Sequence, residues 1–333
     1  MPTRHLVEQL SSVYSKTTRN NYKIVGDISK LANQIINMLD SNVDMLVGLV
    51  HLRTKHANYA LVRIIQNTIF SVLVAKRSNW EAERIHILTC ACLTENISLF
   101  QLQNELAEMK QEKLTEEQVK QIRSHPTQSA KMLAALGVTD KKWLSAVALH
   151  HEKLDGRGYP HGFMHGRIPD EARLMSIADR YGSMITPRAN REAGNPSQIM
   201  RYFLSSKRGE FDKKLSHTLI TELGVYPSGS TVVLHSGEVA LVTYQGKDHF
   251  HPQVSAICSP TDELYIQPIP RDTNDDEYTI SRLVDFPEVK QFNANLFWGD
   301  AANKIQDELL SSVEDIPIET DIEIENAAKD IWY

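Results

Sequence analysis

The 333-residue sequence predicts a mainly α-helical protein that carries a small C-terminal β appendage. Three observations lead there. Apolar residues recur at helical spacing through the first two thirds of the chain, as in Ile24, Val25, Ile28, Leu31, Ile35, Ile36 and Leu39. Helix-start signals precede several of these runs, the clearest being Thr115 with Gln118 three residues on, a capping box. Near residue 224 the character changes, and short β-branched runs separated by Pro-Ser-Gly and His-Ser-Gly form a hairpin pattern.

Taken in order, helices are expected at about 22–40 and 42–54, broken by the turn formers Asp-Ser-Asn, then at 57–77 and 82–94. The capping box opens the next helix, which runs to His125 and Pro126 and resumes at Thr127. Thr139 or Asp140 caps the helix that ends at His150 and His151. A glycine-rich turn follows, and then a helix with Pro169 in its first turn. Strands are expected between 224 and 270. From residue 271 the chain turns polar and acidic, and its composition predicts a solvated, partly disordered tail. The expected division is 1–54 N-terminal helices, 55–223 helical domain, 224–270 β appendage and 271–333 tail.

With 41% hydrophobic and 23% charged residues the chain can build a sizeable core. A net charge of −6 and a pI near 6.1 argue against bulk nucleic-acid binding but leave room for a local anion pocket. Cys90, Cys92 and Cys258 are too few and oddly placed for a disulfide framework, and read as free thiols of a reducing cytoplasm. No secretory h-region is visible at the start, and the most apolar run, Tyr59 to Ala75, contains Arg63, Gln66 and Asn67, so no membrane span is expected.

The chemistry gathers in "HHEKLDGRGYPHG", residues 150–162. His125, His150, His151 and Asp179 are all expected near helix ends, and imidazoles with a carboxylate from several helices are how helical bundles build metal sites. Imidazole plus oxygen donors suit iron, manganese or zinc.

These pieces, with "KLTEEQVKQIRSHP", "GRIPDEARLMSIADRY", "PRANR" and "GVYPSGSTVVLHSGEVALV", resemble the HD-GYP domains, a branch of the HD metal-dependent phosphohydrolases that act on cyclic di-GMP. The resemblance covers about residues 45–258 and implies an HD-type helical bundle. It assigns His125, His150, His151 and Asp179 as metal ligands, and Gly158, Tyr159 and Pro160, with Asp155 and Gly156, as the signature loop. An exposed Tyr159 with Arg157 would form a contact surface, linked in the family to docking of GGDEF-type proteins. Arg188 and Arg191 lie where the family approaches ligand phosphates, although the tyrosine between them is Asn190.

Other positions depart from the pattern. The segment expected to read like Leu-Leu-His-Asp-Ile-Gly-Lys reads "CLTENISL". In one register the His-Asp pair falls on Glu95 and Asn96 and the lysine on Leu99; a shift of one residue places them on Thr94, Glu95 and Ser98. The histidine of the earlier helix falls on Arg63. His56 is seven residues away, two helical turns or about 10 Å along the axis, too far for a ligand bond. An ion pair of Arg63 with Glu95 is expected to fill the void.

The sequence therefore keeps one side of a metal site and rewrites the other. The expectation is a degenerate HD-GYP protein of bacterial cyclic di-GMP signalling, with no catalytic residue assigned, one divalent metal or none, and a role in binding nucleotide or a partner protein. The alternative is a phosphodiesterase with an altered, mononuclear site. A homodimer is left open.

Overall fold

The fold is known from a computed structural model, which describes residues 2–17, 23–52, 58–110, 113–192, 194–204, 209–246 and 250–299. His56 and residues 300–333 of the expected tail lie outside the described residues.

Three helices open the chain: α1 (Pro2–Thr17), α2 (Ile24–Ser41) and α3 (Val43–His51). The first was not assigned from sequence, yet Leu6, Leu10, Val13 and Tyr14 recur on one face and are buried. The central helix is α4 (Tyr59–Arg77), followed by α5 (Ala82–Cys92) and α6 (Phe100–Glu108). Among the described residues α4 is the helix long and apolar enough to cross a membrane, and 83% of that window is buried inside the fold. Polar Arg63, Gln66, Asn67, Thr68 and Ser71 along it are buried too, so α4 is a core helix that carries part of the site.

The bundle continues with α7 (Glu116–Ala135), α8 (Lys141–Leu149), α9 (Asp170–Ile185), α10 (Pro196–Leu204) and α11 (Lys213–Leu223). The capping box at Thr115 and Gln118 is present in both directions. Asp140 is the cap of α8, accepting from the backbone N–H groups of Lys142 and Trp143. Helix α9 lies along α4, and α7 and α8 pack together beside α5. Arg84 at the start of α5 holds the start of α9 through Glu171 at 2.7 Å and Asp170 at 3.0 Å.

Strands β1 (Thr231–Leu234), β2 (Val239–Tyr244), β3 (Gln253–Cys258), β4 (Leu264–Arg271) and β5 (Ile280–Val284) form one antiparallel sheet in the order β4-β3-β2-β1-β5. The strand β5 lies beyond the expected end of the appendage at 270; it pairs with β1 through Thr231 opposite Val284. Along β2, Val239 and Leu241 join the helical core while Ala240 and Val242 face a smaller cluster on the other side of the sheet. The short α12 (Asn295–Trp298) closes the described chain. Trp298 lies against Gly48 of α3 and donates from Nε1 to the carbonyl of Thr243 at 2.9 Å. Asp44 of α3 accepts from Ser228 at 2.7 Å and from the backbone of Gln245 at 3.0 Å. One continuous core therefore runs from α1 through the bundle to the sheet and α12.

Candidate metal and phosphate site

The histidine side begins with a proline. Pro126 sits inside α7, where its missing N–H leaves the carbonyl four residues back, that of Ile122, without its helical donor. His125 Nδ1 donates to that carbonyl at 2.6 Å. His125 is thus in mid-helix rather than near a helix end, because the proline is accommodated by the imidazole beside it. His150 lies just past the last residue of α8, and its Nδ1 donates to the carbonyl of Val147 at 2.7 Å, one of the orphan acceptors of the helix end.

Carbonyls only accept, so both Nδ1 atoms carry the proton and both Nε2 atoms present lone pairs. These two Nε2 atoms face each other at 3.2 Å. Two neutral acceptors at that distance repel, and a cation between them would relieve that repulsion. Protonation is disfavoured: burial, then the charge of His150, lowers His125 to about 3, and burial lowers His150 as well. His151 is pushed well down by burial and then by His150 and His125. The donor atoms of the three histidines lie within 4.8 Å of one another, a set that fits a divalent ion.

The signature loop stands against this cluster. Tyr159 is half-buried and stacks on His151, with ring centroids 4.7 Å apart and planes at 25°. The expectation of an exposed Tyr159 is corrected by that stack; Arg157 remains exposed, at 69%. A Cβ on Gly158 would strike the backbone of residues 151–153, so only glycine lets the loop return to donate from Tyr159 N to the carbonyl of His151 at 3.1 Å. Asp155 Oδ1 accepts from Arg157 N at 3.0 Å and its backbone bridges to Met164, which lies over Gly156. The peptide before Pro160 is cis. Buried Glu152 pins the far limb, accepting from the backbone of His161 at 2.7 Å and Phe163 at 3.0 Å.

The opposite side is built from α4, α9 and the turn at 93–99. Arg63, 1% exposed, donates from Nη2 to Asp179 Oδ1 at 2.8 Å and to its carbonyl at 2.6 Å. Asn67, one turn along α4, donates both to Asp179 Oδ1 at 2.9 Å and to Glu95 Oε1 at 2.8 Å. The expected partner of Arg63 was Glu95; its ion pair is with Asp179 instead, because α9 lies directly along α4. Gly182, one turn after Asp179, supplies the room: a Cβ there would strike Arg63 Nη1.

Burial and then the nearby Asp179 push the Glu95 carboxyl well above its ordinary range, against the pull of Asn67 and Arg63. Burial also pushes Asp179 up, but Arg63, His150, Asn67 and His125 outweigh it and the carboxylate stays below its ordinary value. Asp179, expected as a metal ligand near a helix end, lies within α9 with Oδ1 engaged by Arg63 and Asn67.

The turn carrying Glu95 is held from three sides. Tyr14 donates to the carbonyl of Leu93 at 3.0 Å, Trp143 donates to Thr94 Oγ1 at 2.8 Å, and Ser98 donates to the carbonyl of His125 at 3.0 Å. Thr94 thus faces the core, and Glu95 reaches the site in either register. Asn96 lies beside it, its Nδ2 3.4 Å from Glu95 Oε1, and Leu99 is buried.

Arg188 and Arg191 stand on an exposed turn after α9, bridged backbone to backbone. Arg188 Nε donates to Tyr59 Oη at 2.8 Å, and Arg191 Nη2 donates to the carbonyl of Ser183. Sequence reasoning did not assign Asn67, Glu152 or Gly182 to the site. The spacings were available for two of them: Asn67 is four residues from Arg63, and Gly182 three from Asp179, each on the same helix face.

Comparison with known proteins agrees with this architecture. The HD domain family model matches residues 33–215, more than half of the chain. The cyclic di-GMP phosphodiesterase PA4108 of Pseudomonas aeruginosa is 25% identical over 74% of this chain and 58% of its own length. The cyclic di-GMP phosphodiesterase PdeB of Borreliella burgdorferi is 24% identical over 56% of this chain and 48% of its own length. The chain thus matches about half of each of these relatives. Among solved structures, Bd1817, a HDG"Y"P protein from Bdellovibrio bacteriovorus, superposes with a TM-score of 0.56 over 66% of this chain and 69% of its own, at 15% identity, a likeness of fold. With a helical bundle, a clustered histidine triad and a Gly-Tyr-Pro loop folded against it, the chain belongs to the HD domain family, as a member of its HD-GYP branch.

Proposed function

We propose that this protein binds cyclic di-GMP, or a signalling partner of GGDEF type, at the face formed by the histidine cluster and Arg188 and Arg191, with turnover lost or strongly impaired. The observation that carries the reading is the Arg63–Asp179 pair. Metal-assisted phosphodiester hydrolysis in two-metal sites uses a second cation to stabilise the developing charge. Here a guanidinium holds Asp179, and a neutral Asn67 and a Glu95 carboxyl that burial pushes well above its ordinary range complete that side. The relatives' activity supports the ligand, and two exposed arginines on one turn suit its phosphates.

A second reading, a weak phosphodiesterase using one metal, is favoured by the facing lone pairs of His125 and His150. His125, His150 and His151 would hold the ion, which when bound supplies a Lewis acid toward a phosphodiester oxygen. The chain's own residues would do the rest. Tyr159 keeps the His151 ring in place, Glu152 holds the loop closed, and the arginines orient the nucleotide.

The test is metal content of the purified protein together with cyclic di-GMP hydrolysis in added iron or manganese, and nucleotide binding in parallel. One metal or none, binding, and no turnover is the expected result. Chelator-sensitive turnover with one metal selects the second reading; two metals with turnover refute both.

A further inference from the structure

We propose that the arginine surface at Arg188 and Arg191 is the docking site of this chain's own acidic segment, residues 307–325, which competes there with phosphate ligands. The docking rests on the surface itself; the competition rests on the nucleotide reading above.

The surface carries two guanidiniums on one turn. Both arginines are exposed, and their hydrogen bonds go to a tyrosine hydroxyl and a backbone carbonyl, not to an acid. Among the described residues neither makes an ion pair with a carboxylate. Arg180 adds a third guanidinium, placed over the Tyr202 ring at 5.2 Å. Desolvation and then the charge of Arg188 press the Arg191 guanidinium downward, which marks how close the like charges stand. Two guanidiniums held on one turn, with no carboxylate paired to them among the described residues, favour any anionic group that reaches them.

The chain delivers such a group. Residues 307–325 hold eight carboxylates, with no lysine or arginine between 305 and 328. Glu319, Asp321, Glu323 and Glu325 fall at every second position, a spacing that in an extended segment sets carboxylates on one side. The last described stretch also runs close to the surface. Asp285, Phe286 and Val289 line one cleft together with Glu192 and Asn195, the former adjacent to Arg191. From Gly299 to Asp307 an extended chain spans about 25 Å, and the acidic run continues beyond that. A tether this short gives an effective concentration on the order of millimolar, enough for a set of weak charge contacts to be populated and weak enough for salt to release them.

The experiment uses the full chain with spin labels at Ala189→Cys and Thr320→Cys, diluted with unlabelled protein; the three native cysteines are buried. The expected result is a short label-to-label distance at low salt that is lost in high salt. Arg188→Glu with Arg191→Glu abolishes it, and adding Glu319→Lys, Asp321→Lys, Glu323→Lys and Glu325→Lys restores it. No short distance, a distance that ignores the charge swap, or one that disappears on spin dilution because the segment sits on a second copy overturns the proposal. Ending the chain at residue 299 should tighten cyclic di-GMP binding about threefold or more. If the docking is observed and this nucleotide does not bind either form, the nucleotide reading fails while the docking stands.

Discussion

On one side of the pocket three imidazoles converge, with two lone pairs facing each other at 3.2 Å; on the other a guanidinium is already seated against Asp179 at 2.8 Å. The first side would take its cation from solution. The second carries its cation on the chain. An exchangeable ion leaves open coordination positions where a substrate oxygen can bind, whereas the buried Arg63 guanidinium offers only N–H donors: Nη2 is engaged by Asp179, and Nε and Nη1 have no hydrogen-bond partner among the described residues. The two sides thus differ in chemistry: the histidine side presents lone pairs that could hold a metal ion, and the arginine side carries its positive charge on the chain.

The largest effects should come from breaking the arginine side. Asp179→Ala strands Arg63, which is 1% exposed and cannot lose its proton, at a cost of about 3–5 kcal/mol in denaturant unfolding. Arg63→Ala strands a carboxylate that is 21% exposed and can protonate, so its cost should be nearer 3 kcal/mol. Equal and small costs for both would mean that the pair does not hold α4 to α9.

The histidine side should show the reverse pattern. His150→Ala removes one of the lone pairs that face each other, and manganese or zinc affinity measured by titration should fall about 100-fold, roughly 2.7 kcal/mol. Metal affinity unchanged in this variant would place the ion elsewhere and remove the contrast between the two sides.

The sides should also titrate with opposite signs. Histidines whose folded values lie below the unfolded one contribute stability that is complete above about pH 6.5 and is lost as pH falls toward the folded value, about 3 for His125. Glu95, raised by burial and by Asp179, is the opposite case. Its folded form keeps a proton that the unfolded chain releases, so its contribution is present below the unfolded carboxyl value and lost as pH rises. Between pH 7 and 5 the metal-free protein should lose stability because three histidines outweigh one carboxyl. The slope is about 1.4 kcal/mol per pH unit for each uncompensated proton. Glu95→Gln should steepen that loss. A profile that Glu95→Gln leaves unchanged would show that Glu95 is ionised in the fold.

The helical class, the capped starts at Thr115 and Asp140, the strands after residue 224 and the histidine triad were all readable from sequence, because each is written locally: in apolar period, in a capping pair, or in adjacent residues of one loop. Tertiary structure alone decided how that chemistry is wired. The sequence offered Glu95 as the partner of Arg63, but α9 packs along α4 and brings Asp179 to it, with Gly182 leaving the space. It offered Tyr159 as an exposed contact, but the close approach at Gly158 folds that ring onto His151. It broke the helix at Pro126, but the Ile122 carbonyl that the proline abandons is taken by His125, and the helix runs through. In each case the outcome depends on which groups far apart in the chain satisfy a buried donor, acceptor or charge. That pairing is set by packing between helices, which no local pattern encodes.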